Sequence, residues 1–240
     1  MTVDYARTRE AADPHCLGDG EAAAHLRGHP WRRFVVLGDS IAEGVSDPVE
    51  GYHTSPFADR VAAELAGVQP DLAYLNLGER NLRAGEVRAG QVRPALAFEP
   101  DLALVVCGAN DALRPGYESR VDAVDTDIAA IVSAMQGSGA LVVTVSVFVM
   151  GDYPRLPSWL GPAFSRRMTM LAARTRAIAA AHGTVHVHLA DHPAADATLT
   201  CDDGLHGNGR GQAIAAAEMV RRLGAYLREP AAASLTTAPH

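Results

Sequence analysis

The 240-residue sequence contains no lysine, so all 21 of its basic residues are arginine, and 28 acidic residues outnumber them. The formal net charge is −7. No basic stripe with interleaved aromatics runs along the chain. The surface needed to displace phosphate counterions is missing, and no nucleic-acid partner is expected. The absence of lysine, beside abundant alanine and arginine, reflects a GC-rich genome rather than a function. Cysteine is scarce as well: Cys16, Cys107 and Cys201 are odd in number and show no CxxC spacing. That argues against a disulfide framework and a zinc ribbon, and makes a reducing cytoplasm the expected compartment. Long apolar runs are also lacking. The longest, Leu141 to Met150, is interrupted by Thr144 and Ser146 and is too short to span a bilayer. The opening MTVDYARTREAADPHC carries acids and no apolar h-region, so neither a secretory signal nor stable membrane insertion is expected.

What is present suits one globular α/β domain: hydrophobic residues make up 48% of the chain, enough to supply a core. Five apolar, β-branched runs read as strands: Phe34–Leu37, Leu72–Leu77, Leu102–Cys107, Leu141–Val147 and Val185–Leu189. Several are near-continuous, the pattern of parallel strands covered on both faces. Helix-period segments lie between and after them at Phe57–Ala66, Val121–Met135, Met168–Ala181 and Ala213–Leu227. This alternation predicts right-handed βαβ units in a three-layer α/β/α sandwich, with the ligand site at the carboxyl ends of the strands. Residues 31–228 are expected to form the domain. Residues 1–30, polar and punctuated by Gly and Pro, are expected to be an extension rather than core, with a short helix around Glu21–Arg27. Residues 229–240 are expected to be a disordered tail.

Three segments carry chemistry. In FVVLGDSIAEGVSDP, Gly38 permits a tight turn after the first strand and puts Ser40 near a helix N-terminus, where a developing negative charge is favoured. A serine hydroxyl needs a base within hydrogen-bond reach; the plainer reading is that Ser40 only caps a helix. In CDDGLHGNGRG, Asp203 and His206 stand three apart on a Gly-rich loop entering the last helix. A carboxylate so placed can fix the imidazole's tautomer and leave the other ring nitrogen to accept a proton, although the same residues could form a surface turn. In VVCGANDAL, Asn110 follows the third strand. Its amide suits an oxyanion, and its alternative is an Asx-turn with Asp111 capping the next segment.

Together these residues resemble the SGNH (GDSL-like) hydrolase superfamily. GDSIAEGVSDP is similar to its first block, GAND to its third and DGLH to its D-x-x-H block, and the resemblance runs from about Phe34 to about Leu223. It implies a flavodoxin-like sheet of five parallel strands and metal-independent acyl chemistry without a cofactor. It further implies Ser40 as nucleophile, His206 as general base and then acid, and Asp203 as its orienting partner. The oxyanion hole would comprise the Ser40 N–H, the Asn110 side chain and a third donor from the second block, YLNLGERNLRAGEV. That block departs from the family pattern. The residue five after Asn76, usually glycine, is Asn81, while Gly78 stands at the wrong offset. Because the donor is a backbone N–H, Asn81 takes the role here, asparagine being the non-glycine residue most tolerant of left-handed angles.

The expected activity is hydrolysis of a small-molecule carboxylic ester, thioester or O-acetyl group through an acyl-enzyme intermediate. The alternatives are an acyltransferase using the same triad and a non-catalytic flavodoxin-like ligand-binding domain. A flavin site is not expected, because the first loop lacks a Ser/Thr-rich phosphate cradle and Asp39 and Glu43 would repel phosphate. His186 and His188 share a strand face and could grip a metal ion, but packing or solvation is the reading preferred. His53 follows the Ser40 block and could line the pocket, but a surface place is the reading preferred. Cys107 reads as a buried small hydrophobe. FVMGDYPRLPSWLGPAF, with Phe148, Met150, Tyr153, Leu156, Trp159, Leu160 and Phe164, is expected either to form a wall or lid of an apolar pocket that selects an acyl or alcohol group, with Trp159 as its test position, or to pack as an ordinary loop against the core. No motif specifies an oligomeric state.

Overall fold

The computed structural model describes residues 8–151, 153 and 156–229. Five strands form one sheet: β1 (Arg33–Gly38), β2 (Ala73–Asn76), β3 (Leu102–Val106), β4 (Leu141–Ser146) and β5 (Val185–His188). All pairs are parallel and the order is β2-β1-β3-β4-β5. The chain leaves β1 toward β2 on one side and returns to β3 on the other, so the topological switch lies between β1 and β3, where a ligand crevice is expected. Strand burial follows position. Central β3 is buried at every residue, whereas edge strand β5 alternates and edge strand β2 is only half-buried throughout.

Nine α-helices connect and flank the strands among the described residues: α1 (Thr8–Ala12), α2 (Glu21–His25), α3 (Ser40–Glu43), α4 (Phe57–Val68), α5 (Ala84–Ala97), α6 (Ala109–Ala112), α7 (Val121–Gly137), α8 (Gly161–His182) and α9 (Gly209–Arg228). Strand alternation divides the core between two faces. Phe34, Val36, Leu104 and Val143 pack with Val61 and Leu65 of α4 and Met219 and Leu223 of α9. Val35, Leu37, Ala103 and Val142 meet Val87 of α5 and Ile131 and Met135 of α7. Helix α8 covers β4 and β5 beside α7. The result is the three-layer sandwich that the sequence pattern predicts.

All four helices read from periodicity are present. Helix α8 starts seven residues earlier than read, at Gly161, because Pro162 falls in its first turn, where a missing N–H costs nothing. Helix α5 was not legible. Its inward residues Ala84, Val87, Gln91 and Ala95 have helical spacing but little apolar contrast, and Gly85, Gly90 and Pro94 argue locally against a helix. The expectation that the first 30 residues stay out of the core does not hold for residues 16–26. Leu26 is fully buried and Ala22 and Cys16 are nearly so. The cause lies about 200 residues away: Arg221 on α9 pairs with Glu21 and donates to the carbonyls of His15 and Cys16, and Arg210 pairs with Asp13. Of the expected tail, 229–240, Glu229 caps α9 through its N–H to the Ala225 carbonyl, and residues 230–240 lie outside the described residues.

Candidate active site

Ser40 opens α3 directly after β1. The turn depends on Gly38, since a Cβ there would stand 1.9 Å from the carbonyl oxygen of Val106 on β3. Gly38 is held at both polar atoms by one side chain. Its N–H donates to Gln91 Oε1 at 2.8 Å, and Gln91 Nε2 donates to its carbonyl at 2.9 Å. Asp39 caps α3 by accepting from the Ile41 N–H at 3.0 Å. Its carboxyl is fully buried, and its Oδ2 has no hydrogen-bond partner among the described residues. Burial, with the Asp111 charge adding to it, pushes the Asp39 carboxyl up to about 7 against the pull of the Ile41 hydrogen bond and the His206 ring.

The hydroxyl of Ser40 lies 2.7 Å from His206 Nε2, although 166 residues separate them. His206 Nδ1 is 2.5 Å from Asp203 Oδ2. The other carboxylate oxygen accepts from the backbone N–H groups of Leu205 and His206 at 2.8 and 3.0 Å. Partial burial raises the Asp203 carboxyl, but these hydrogen bonds outweigh it and hold the group below its ordinary range. The loop is pinned on both flanks. Cys201 N–H donates to the His206 carbonyl, Asp202 N–H donates to Asp47 Oδ2, and Asn208 caps α9 by accepting from Arg210 and Gly211. Gln212 ties the same loop to α4, donating to the Gly207 carbonyl and accepting from the Phe57 N–H.

The second block reaches the site along a fixed path. Asn76 Nδ2 donates to the Ala42 carbonyl, and its Oδ1 accepts from the Gly78 N–H. Gly78 lies flat against α3, where a Cβ would sit 2.2 Å from the Glu43 nitrogen, so this glycine serves close approach. Glu43 then accepts from both the backbone and the guanidinium of Arg80. Asn81 follows with φ 69°, in the left-handed region. Asn110, on α6, donates one amide hydrogen to the Leu82 carbonyl at 3.0 Å, which fixes the side chain and leaves its second hydrogen. Asp111 accepts from the Ala84 N–H, and burial raises its carboxyl.

Ser40, Asn81, Asn110, Asp203 and His206 all line one cavity of about 360 Å³. Phe148, Met150, Tyr153 and Phe164 of the long loop and α8 line it too. Trp159 does not: it is 74% exposed and outside the lining, which corrects its expected place in the pocket wall. An aromatic read only from a loop's composition gives no direction, and this one turns outward. Leu156 and Leu160 are also absent from the lining.

The remaining candidates resolve as packing or surface groups. His186 has both ring nitrogens engaged, by Thr144 Oγ1 at 2.8 Å and Ser146 Oγ at 2.9 Å, and burial lowers it to about 4. His188 contacts Asp191 at 3.2 Å. Among the described residues no group of three or more His, Cys, Asp or Glu is placed to hold a metal ion. His53 is exposed on another surface, near Glu10 and Arg60. Burial raises the Cys107 thiol well above its ordinary range, and no histidine pairs with it among the described hydrogen bonds. Gln91, Gln212 and the Glu43–Arg80 pair escape sequence reasoning. Their only signal is a polar residue at a core-facing helix position, which Gln91 and Gln212 provide and the Glu43–Arg80 pair does not.

A model of the GDSL-like lipase/acylhydrolase family matches residues 36–214. No curated protein matches the sequence. Among solved structures, an acetylxylan esterase from Geobacillus stearothermophilus, determined as a catalytic mutant, is 16% identical with a TM-score of 0.66, covering 82% of this chain and 95% of its own. A lipase/acylhydrolase from Enterococcus faecalis is 21% identical with a TM-score of 0.65, covering 81% and 96%. The psychrotrophic esterase EstA from a Pseudoalteromonas species, inhibited by monoethylphosphonate, is 20% identical with a TM-score of 0.60, covering 82% and 98%. At these identities the structures show a shared fold.

Proposed function

Because the chain belongs to the GDSL-like lipase/acylhydrolase family and is an ester-hydrolysing enzyme, we propose that it cleaves small-molecule carboxylic esters through an acyl-enzyme on Ser40. The observation that carries this reading is the unbroken relay Ser40–His206–Asp203, with contacts of 2.7 and 2.5 Å, opening into a cavity shared with Asn81 and Asn110.

As Ser40 Oγ attacks the ester carbonyl, His206 Nε2 takes its proton. Asp203 holds Nδ1–H and stabilises the imidazolium; its depressed carboxyl keeps it charged at neutral pH. The carbonyl oxygen, now negative, receives the Ser40 and Asn81 backbone N–H groups and the free Asn110 amide hydrogen. His206 returns its proton to the alcohol oxygen as the C–O bond breaks. Water then adds to the acyl-enzyme by the same proton route, releasing the acid and restoring Ser40. No step calls on a cofactor. Among the described residues no helix is long and apolar enough to cross a membrane, and a cytoplasmic location remains part of the proposal.

Labelling by a fluorophosphonate probe tests the reading. The wild-type chain is expected to take up one equivalent and lose esterase activity, and Ser40→Ala to do neither. Labelling of the alanine variant would move the nucleophile elsewhere.

A further inference from the structure

The cavity beside Ser40 changes character along its depth. Its polar lining residues Arg80, Asn81 and Asp203 are exposed and form the mouth. Its deeper lining is apolar: Val145, Met150, Tyr153, Phe164, Met168 and Leu189 are all buried. At about 30 Å³ per water-sized group, 360 Å³ holds roughly a dozen heavy atoms. After the ester group itself, roughly eight methylene-sized groups remain. An acetyl group would fill little of that space and would leave most of the apolar wall without contact.

Resting on the esterase reading above, we infer that this cavity selects the acyl half of the substrate and takes a medium-length, saturated acyl chain. Direction follows from proton delivery. His206 must reach the leaving alcohol oxygen, so the alcohol lies on the His206–Asp203 side, where the Asp203 side chain is 41% exposed. Asn110 stands on α6, and α6 packs against α8, the helix that supplies Phe164 and Met168. The part of the apolar wall formed by Phe164 and Met168 therefore continues from the oxyanion side of the carbonyl and takes the acyl carbon chain, while Phe57, Leu189 and Ala215 close the cavity toward α4 and α9, and the alcohol half leaves through the polar mouth. The end of the chain is set by Phe164, stacked edge-on against Tyr153 with ring centres 4.8 Å apart.

Two ester ladders test this. One holds p-nitrophenol constant and lengthens the acyl group from acetyl to dodecanoyl; the other holds acetyl constant and lengthens a straight-chain alcohol. In the first, kcat/KM is expected to climb roughly fourfold per methylene, the transfer free energy of one buried CH₂, and to break near eight carbons. The second should stay flat. Phe164→Ala should move the break to longer chains and Val147→Trp, at another lining residue just past β4, to shorter ones, with thermal unfolding run on both to establish that they fold. Acetyl preference, a climb in the alcohol ladder, or a break that neither folded variant moves would overturn the acyl-chain assignment. Fluorophosphonate labelling of the wild type reports on the esterase reading separately: labelling with a flat acyl ladder sinks this inference alone, and no labelling with no turnover sinks the parent reading.

Discussion

At Asn81 the backbone adopts an angle usually left to glycine, and in the proposed mechanism that angle aims an N–H rather than a side chain. A left-handed φ is tolerable for asparagine and costly for a β-branched residue. In the proposed mechanism Asn110 contributes through its amide, so truncation there removes the donor outright. Asn110→Ala is expected to lower kcat by about 10²–10³. Asn81→Val should cost far more activity than Asn81→Gly, because valine cannot hold the angle and glycine can. Steady-state kinetics on the three variants decides it, and equal activity for the valine and glycine variants would remove Asn81 from the oxyanion hole. The candidate residues Ser40, Asn110, Asp203 and His206 are legible because each sits in a short motif, Ser40 and Asn110 just after a strand and Asp203 and His206 on the loop entering α9. Glu43 and Arg80 were not, since their partnership crosses 37 residues and nothing local announces it.

Among the elements, α5 shows how a helix can be silent in sequence and still place the site. Its inward face is two alanines, one valine and Gln91, so hydrophobic periodicity carries almost no signal. Gln91 is buried, 53 residues from its partner, and extends the β1 ladder by one step where β2 has already ended. The carbonyl it holds also accepts from the Glu79 N–H, which links the Ser40 turn to the loop leading to Asn81. Gln91→Leu keeps the volume roughly constant and adds hydrophobicity, yet strands the Gly38 N–H in the interior and leaves the Gly38 carbonyl to the Glu79 N–H alone. A buried group left unpaired costs about 1–3 kcal/mol. The variant is therefore expected to unfold at lower urea with an unchanged m-value and to show reduced kcat. A midpoint equal to or above that of the wild type would show that the clamp is dispensable. The strands, by contrast, were readable nearly to the residue, because continuous burial under helices on both faces leaves uninterrupted apolar runs.

For the molecule as a whole, stability comes from cores on both sheet faces and from an N-terminal segment strapped onto α9, while the active-site turn draws stability down. The strap was invisible in the sequence because one leucine and a set of arginine contacts about 200 residues distant hold it. The cost of the turn sits in Asp39, a carboxyl with no exposure at the switch point between β1 and β3. Its folded-state value near 7 exceeds the ordinary carboxylate value. Above about pH 4 the unfolded chain has released this proton and the native state retains it. Asp39 therefore lowers stability progressively as pH rises from about 4 to about 7, and no further beyond that. Asp39→Asn removes the titration. Its stability relative to the wild type should rise across this window by a few kcal/mol, at about 1.4 kcal/mol per pH unit of displacement, and level off above it. Urea unfolding of both proteins at pH 5, 6, 7 and 8 gives the difference directly. A difference that stays constant across these pH values would mean that Asp39 enters the fold already ionised, and that its burial is compensated by contacts other than the Ile41 N–H.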